Sequence, residues 1–146
     1  MNLYTIGFTQ KSARTFFELL RQHEVELLVD IRLHNTNQLA GFSKRDDLAY
    51  FLAEICGCRY LHCPEYAPEE SYLKPYKHGQ ITWQDFEDAY LATTEKRGLY
   101  RQFAERFADY RNVCILCSEA EPDCCHRRLL GEKIHEYDRH VKVIHL

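Results

Sequence analysis

The chain has 146 residues, of which 45% are hydrophobic and 28% are charged, and its formal net charge is -3 at pH 7. This length fits one domain with a single sizeable core, and the composition is that of a folded globular protein. The slight excess of acidic residues argues against a non-specific grip on nucleic acid, which needs a basic face, and the sequence has no apolar run long enough to predict a membrane span.

The first strand and helix are predicted at the amino end. Residues 3–6 form a short apolar run that predicts a strand, and Gly7 follows where a tight turn brings backbone N–H groups close to a ligand. Ser12 is in position to cap a helix. That helix would turn four apolar residues toward the core: Phe16, Phe17, Leu19 and Leu20.

A second strand is predicted over residues 27–32. This run is apolar and ends in Asp30 and Arg32, as a buried parallel strand does where it emerges at its carboxyl end. The two side chains are expected to point to the same side of the sheet. They are interpreted either as ligand-binding groups or as a structural ion pair, because both arrangements occur.

The next stretch predicts a loop and then a helix. Residues 33–42 are rich in Asn, Thr and Gln and predict a surface loop of a length that is often functional. Ser43 would cap the helix, and Gly57 would end it. Its predicted core stripe is Leu48, Phe51, Leu52 and Ile55.

The remaining elements continue the alternation of strand and helix. Residues 59–62 predict a third strand, and residues 67–81 lack periodicity and are interpreted as an ordered, lid-like insertion. Two helices follow, one from Thr82 through Thr93 with Trp83, Phe86 and Tyr90 as packing residues, and one after Gly98 from about Leu99 to Tyr110. Residues 141–144 predict a closing strand. The whole pattern, over residues 1–146, predicts a single three-layer α/β domain whose mainly parallel sheet of about five strands is flanked by helices.

The most reactive side chains are concentrated in residues 117–127. A β-branched apolar run over residues 113–116 precedes this stretch, and a helical pattern follows it, so the stretch is predicted to be a strand-to-helix loop. Ligands of open α/β sheets bind outside the carboxyl ends of the strands. The loop therefore lies where this fold class places a site.

The sequence resembles a family of bacterial and archaeal proteins, the domain-of-unknown-function family 488. Its signature is similar to Cys-Ser-Glu-x-x-Pro-x-x-Cys-His-Arg at residues 117–127. Further blocks of the family resemble residues 5–9, 29–32, 60–68 and 76–83, and the chain departs from the family at Phe8, where His or Tyr is common. The resemblance implies an α/β domain with a polar pocket, and it implies no particular reaction.

Seven cysteines are unevenly spread and odd in number, which argues against a disulfide framework. Cys114 and Cys117 look like a zinc knuckle, but residues three apart on a strand face opposite sides of the sheet. No cofactor is predicted, and zinc is kept as an alternative, held by Cys117 and Cys125 with His126 or Cys63 as third ligand.

The function predicted from these residues is a small cytoplasmic enzyme that binds an anionic, phosphate-bearing substrate, such as a nucleotide. Cys117, Glu119 and His126 are the candidate catalytic residues. The candidate anion-binding residues are Gly7, Thr9, Asp30, Arg32, Cys125 and Arg127. The alternative is a non-catalytic binding module in which the loop is a structural or zinc-held lock. Arg127 is expected to meet either a ligand phosphate or an internal carboxylate such as Asp30, because a positive charge is unfavourable at a helix amino end.

Overall fold

The structure is a computed structural model that describes residues 1–36 and 39–146. Its strands are β1 (Asn2–Gly7), β2 (Leu27–Asp30), β3 (Arg59–His62), β4 (Asn112–Cys117) and β5 (Lys142–His145). Its α-helices are α1 (Ala13–Gln22), α2 (Arg45–Phe51), α3 (Glu70–Lys77), α4 (Trp83–Arg97), α5 (Leu99–Arg106) and α6 (His126–Tyr137). None of these helices combines the length and apolarity needed to cross a membrane.

The five strands form one all-parallel sheet in the order β3, β2, β4, β1, β5. The predicted α/β class and parallel sheet are confirmed. β4 is the central strand and is buried along its whole length, which explains the continuous apolar run of its sequence.

Two hydrophobic clusters cover the two faces of the sheet. One cluster joins Val113 and Ile115 of β4 to side chains of α3, α4, α5 and α6, and the other joins Cys114 and Leu116 of β4 to α1 and α2. The alternation along β4 places Cys114 and Cys117 on opposite faces, as the strand period predicts.

Two predicted helix caps have different outcomes. Thr82 caps α4 through a complete capping box with Asp85, as predicted. The prediction that Ser43 caps α2 is wrong, because Ser43 belongs to a short 3-10 turn, Gly41–Ser43, and its hydroxyl donates to the carbonyl of Ala40. Lys44 is the residue that precedes α2.

The predicted core stripe of α2 holds only in part. Leu48 and Leu52 are fully buried, but Ile55 is 43% exposed. The chain switches to a π-turn over Leu52–Cys56, and this wider turn rotates Ile55 away from the face that an α-helix would bury. Gly57 ends the turn at a positive φ of 61°, as predicted.

The segment over residues 67–81 contains a helix that its sequence did not predict. Pro68, Pro75 and Gly79 interrupt its periodicity, and Pro75 nevertheless lies inside α3. The predicted loop over residues 33–42 has no strand or α-helix among its described residues, and Asn37 and Gln38 lie outside the described part of the chain.

Candidate functional site

The pocket of interest lies at the carboxyl ends of β2 and β4, which are neighbours in the sheet. The chain leaves β2 toward α2 on one face and leaves β4 toward α6 on the other. Neighbouring parallel strands whose connections leave to opposite faces open a crevice between them, and this is where open α/β sheets bind ligands.

Residues from both strand ends and from three helices, α3, α4 and α6, line this pocket. Arg32, Leu33 and His34 follow β2, Cys117, Ser118 and Glu119 end or follow β4, and Cys124, Cys125 and His126 lie at the start of α6. The opposite side is lined by Pro68, Leu73, Tyr76, Lys77, Trp83 and Phe86. The space open to the centres of water-sized molecules is about 110 Å³. This is several times the roughly 10–15 Å³ that one water needs by the same measure, so the pocket has room for a small molecule.

The sulfur of Cys117 lies in an environment that favours its ionised form. The side chain is 5% exposed. The neighbouring Cys125 thiol, together with the backbone N–H groups of Ser118 and Glu119, lowers the pKa of Cys117 as hydrogen-bond donors, and the charge of Arg127 acts in the same direction. These effects outweigh burial, which raises the pKa. The same interaction raises the pKa of Cys125 well above its ordinary value.

His126 is the other reactive group next to Cys117. Its Nδ1 lies 3.6 Å from the Cys117 sulfur and its Nε2 lies 3.8 Å from it. Nε2 also lies 3.3 Å from the carbonyl oxygen of Ile31. If the ring proton is on Nε2 and is donated to Ile31, Nδ1 can accept the proton of Cys117. The sulfur and the imidazole are thus within reach of a weak hydrogen bond, and both ring nitrogens lie at similar distances from the sulfur.

Arg127 is fully buried and does not line the pocket. It donates from NH1 to the carbonyl of Glu119 at 2.6 Å and from NH2 to that of Ala120 at 3.0 Å, while its Nε has no partner. No carboxylate pairs with it within the described part of the chain. A buried cation without a counter-ion favours negative charge nearby, and the Cys117 sulfur is one group whose pKa it lowers.

Gly7 and Thr9, at and just after the end of β1, contact the loop after β4 on the side away from the pocket. Gly7 is paired in register with Cys117, and a side chain at Gly7 would place its Cβ 1.6 Å from the carbonyl oxygen of Glu119. Thr9 donates from its backbone N–H and from its hydroxyl to the carbonyl of Ser118. Neither residue lines the pocket, so both act on the shape of the loop.

Asp30 and Arg32 form a buried ion pair with each other. Arg32 donates from Nε and NH2 to the two carboxylate oxygens at 2.8 and 2.7 Å, and Tyr60 and Asn35 donate to the same carboxylate. Burial raises the pKa of Asp30, but these hydrogen bonds and the Arg32 charge lower it by more. The structural ion pair, one of the two interpretations of this strand end, is what the structure contains. Arg32 also lines the pocket, and its buried NH1 has no hydrogen-bond partner among residues 1–36 and 39–146.

Of the predicted site residues, five lie on the pocket wall: Arg32, Cys117, Glu119, Cys125 and His126. Gly7, Thr9 and Arg127 contact the loop that carries Cys117, and Asp30 holds Arg32. All nine therefore surround one site, in two layers. Their roles in catalysis and anion binding stay predictions.

The pocket also contains a cluster of possible metal ligands. The ligand atoms of Cys117, Cys125 and His126 lie within 4.8 Å of one another, and all three residues are buried. Zinc bound tetrahedrally to sulfur and nitrogen requires these atoms to be about 3.6 Å apart, given its usual bond lengths. The 3.6 Å between the Cys117 sulfur and Nδ1 of His126 fits this requirement. The cluster could hold a metal ion with a fourth position open to the pocket. Cys63, the other candidate ligand, is buried in the hydrophobic cluster that covers one face of the sheet.

The sequence analysis did not assign the helical wall of the pocket to the site. Tyr76 belongs to the helix that was not predicted, and Trp83 was interpreted as a packing residue. The packing interpretation holds for all three aromatic residues: Phe86 and Tyr90 are buried, and the partly exposed Trp83 packs against the same cluster. Trp83 and Phe86 also line the pocket. The sequence feature that could have predicted this wall is the cluster of aromatic residues on either side of Lys77 and Gly79.

Comparisons with known proteins identify the family. The sequence profile described as "Domain of unknown function DUF488" matches residues 12–134, which is most of the chain. The chain therefore belongs to this family, as its motifs indicated. No curated protein and no solved structure matches the chain.

Proposed function

We propose that this member of the DUF488 family is an enzyme that acts on a small anionic, phosphate-bearing substrate and uses Cys117 as its nucleophile. The observation that carries the proposal is the Cys117–His126 pair, with 3.6 Å between sulfur and Nδ1, on the wall of a pocket at the carboxyl ends of the strands. Such a pair generates a thiolate without help from solvent.

An anionic substrate is proposed because three positive features lie at or near the pocket. Arg127, buried behind the loop, has no carboxylate partner among the described residues, the amino end of α6 lies at Cys125 and His126, and the exposed Lys77 lines the opposite wall. A helix amino end and an unneutralised cation both stabilise a bound anion. The proposed substrate is thus a small anionic molecule. The protein's formal net charge of -3 does not favour the binding of a long nucleic acid.

The proposed roles follow from position. The Cys117 proton passes to Nδ1 of His126, the sulfur bonds to the electrophilic carbon or phosphorus of the substrate, and His126 returns the proton to the leaving group. Water then releases the bound group. Glu119, exposed on the pocket wall, is the candidate acid or base for that water. Arg127 positions the loop that carries Glu119 through its hydrogen bonds, and its charge stabilises the Cys117 thiolate.

Protection from alkylation tests the proposal. Phosphomonoesters and nucleotides are added to the purified protein before iodoacetamide, and the modified cysteines are mapped by mass spectrometry. We expect at least one of these compounds to slow the modification of Cys117 and to leave that of the partly buried Cys56, which packs on the other face of the sheet, unchanged. If no phosphate compound protects Cys117, the proposal is wrong.

A zinc centre at Cys117, Cys125 and His126 is the second candidate, favoured by the spacing of the three ligand atoms. Zinc bound there would make a substrate oxygen or a water more reactive through the open fourth position. Metal analysis separates the two candidates. About one zinc per chain that is lost in Cys125→Ser and retained in Cys124→Ser would favour the metal centre, whereas metal-free protein with a reactive Cys117 would favour the thiolate enzyme.

A further inference from the structure

The two sides of the pocket differ in chemistry. The strand ends and the start of α6 contribute polar groups, among them Cys117, Ser118 and His126. The helical side contributes Leu73, Tyr76, Trp83 and Phe86. A ligand that fills such a pocket carries a polar group on one side and an apolar group on the other.

The apolar side is an array of aromatic rings that reaches the reactive residues. Trp83 stacks on Phe86 with ring centroids 5.3 Å apart, and Phe86 lies parallel to Tyr90 at 6.3 Å. Tyr90 in turn meets the ring of His126 edge-on at 5.3 Å. Three of these rings come from positions 83, 86 and 90 of α4, which share one helix face. The array fixes the position of the aromatic side of the pocket relative to His126.

Two of the rings keep surface for a ligand. Phe86 is buried, whereas Tyr76 and Trp83 are only partly buried and both line the pocket. Tyr76 packs against Trp83 and Phe86, at 5.8 and 4.9 Å between ring centroids, so its ring is held in place before any ligand binds. Lys77 follows Tyr76 and lines the same pocket. Flat apolar surface and a positive charge therefore lie side by side.

We propose that Tyr76 and Trp83 form a subsite for the planar base of a mononucleotide, whose phosphate is held by Lys77 and the start of α6. This inference rests on the proposed function and names its substrate class. Every nucleobase offers an aromatic face, and stacking on aromatic side chains is a strong contribution to base binding. The space open to the centres of water-sized molecules is about 110 Å³, which suits a ligand of the size of one nucleotide rather than a polymer. The acidic net charge argues against a polynucleotide.

Trp83 is the only tryptophan of the chain, and its fluorescence therefore reports on this subsite directly. AMP, GMP, CMP and UMP are titrated against the wild type and three variants, with ribose 5-phosphate as the ligand that lacks a base. Tyr76→Leu removes the ring, Tyr76→Phe keeps it, and Tyr50→Leu changes an exposed tyrosine of α2, on the other face of the sheet. Melting temperatures identify any variant that is not folded. Protection of Cys117 from iodoacetamide is measured with the same ligands.

We expect at least one mononucleotide to quench Trp83 and to bind more tightly than ribose 5-phosphate. Tyr76→Leu should weaken its binding about tenfold or more, which is within the range of base stacking, while Tyr76→Phe and Tyr50→Leu should bind like the wild type. The subsite is overturned if Tyr76→Leu is folded and binds the mononucleotide as tightly as the wild type. It is also overturned if ribose 5-phosphate binds as well as every mononucleotide, or if a single-stranded oligonucleotide binds far more tightly. If the subsite fails but ribose 5-phosphate still protects Cys117 from iodoacetamide, the proposed enzyme remains supported. If no phosphate ligand protects Cys117, both the subsite and the proposed enzyme are contradicted.

Discussion

Arg127 illustrates how a single residue can shape the site without touching the substrate. A positive charge at the start of a helix is unfavourable, and the sequence therefore predicted an anionic partner for it. The buried guanidinium instead donates to the carbonyls of Glu119 and Ala120, and it lowers the pKa of Cys117 through its charge. The predicted internal carboxylate is not among its contacts in the described part of the chain, since Asp30 is held by Arg32. Sequence spacing cannot reveal a partner that is a backbone carbonyl.

Replacing Arg127 with methionine should destabilise the protein and weaken the Cys117 thiolate. The substitution leaves two carbonyls without their charged hydrogen-bond donor, which destabilises the fold, and it also removes the cost of burying a charge, which stabilises it. We expect the first effect to be larger, so the free energy of unfolding should fall by about 2 kcal/mol. Urea unfolding measures this change. Arg128→Met is the matched control, because Arg128 makes partly exposed ion pairs with Glu132 and Glu87, and its loss should cost about 1 kcal/mol or less. Equal stability of the two variants would contradict the structural role of Arg127.

The contact between the end of β1 and the loop after β4 determines where Cys117 lies. Gly7 lies opposite Cys117 in the register, and the Glu119 carbonyl fills the space that a side chain would need. The sequence predicted that Gly7 allows a close approach by a ligand. In the structure a group does lie close to Gly7, but it is the backbone carbonyl of Glu119 and not a ligand.

Gly7→Ala should displace this loop. A Cβ 1.6 Å from a backbone carbonyl oxygen cannot be accommodated by a side-chain rotation, so we expect a loss of about 3 kcal/mol in the free energy of unfolding. Gly41→Ala is the control for the same substitution, since no described residue lies within 4 Å of its added Cβ, and it should change stability by about 0.5 kcal/mol or less. Chemical denaturation compares the two. A Gly7→Ala protein as stable as Gly41→Ala would mean that the loop is not held against β1.

Other elements show where sequence patterns succeed and fail. The five strands and the cap of α4 follow from apolar runs and from Thr82, because both signals are local. α3 was missed because Pro75 and its neighbours argue against a helix, and tertiary packing of Tyr72 and Tyr76 on α4 overrides that preference. The π-turn that exposes Ile55 has no local signal in the sequence.

At the scale of the whole molecule, the parallel sheet brings distant segments to one edge. The strand-end residues of the site were predictable because carboxyl ends of parallel strands meet at the same edge of a sheet. The aromatic side of the pocket was not, because it depends on how α3 and α4 lie across the strand ends. The pairing of β2 with β4, 85 or so residues apart in the chain, likewise depends on the full topology.

The buried Asp30 carboxylate ties two strands and a loop together and should govern acid stability. It accepts from Arg32, Tyr60 and Asn35, and its pKa is lower in the folded protein than in the unfolded chain. Its contribution is therefore complete above the unfolded pKa and is lost as the pH falls through the folded one, in a window below about pH 4.

Asp30→Asn should cost on the order of 3 kcal/mol at pH 7, because it leaves the Arg32 charge buried without a partner. The difference from the wild type should shrink as the pH is lowered below about 4, because Asp30 then takes up a proton in the unfolded wild-type chain and, at a still lower pH, in the folded protein. Urea unfolding at several pH values measures both. Asp46→Asn removes an exposed carboxylate and should have little effect at pH 7. A variant difference that is the same at every pH would contradict the role of the Asp30 charge.

The pH dependence of Cys117 alkylation tests most directly whether the site holds a reactive thiolate. Iodoacetamide is applied in the presence of a chelator, the Cys117 peptide is quantified by mass spectrometry, and N-acetylcysteine is the reference thiol. Because the Cys125 thiol, the loop amides and Arg127 lower the pKa of Cys117, its rate should persist to a lower pH than that of the reference, and Cys125→Ala, which removes the hydrogen-bond donor, should move the profile back toward higher pH. Cys58, whose pKa burial raises to about 12, should stay unmodified. A Cys117 that follows the reference profile, or that reacts only after unfolding, would contradict the thiolate and the enzyme proposed from it.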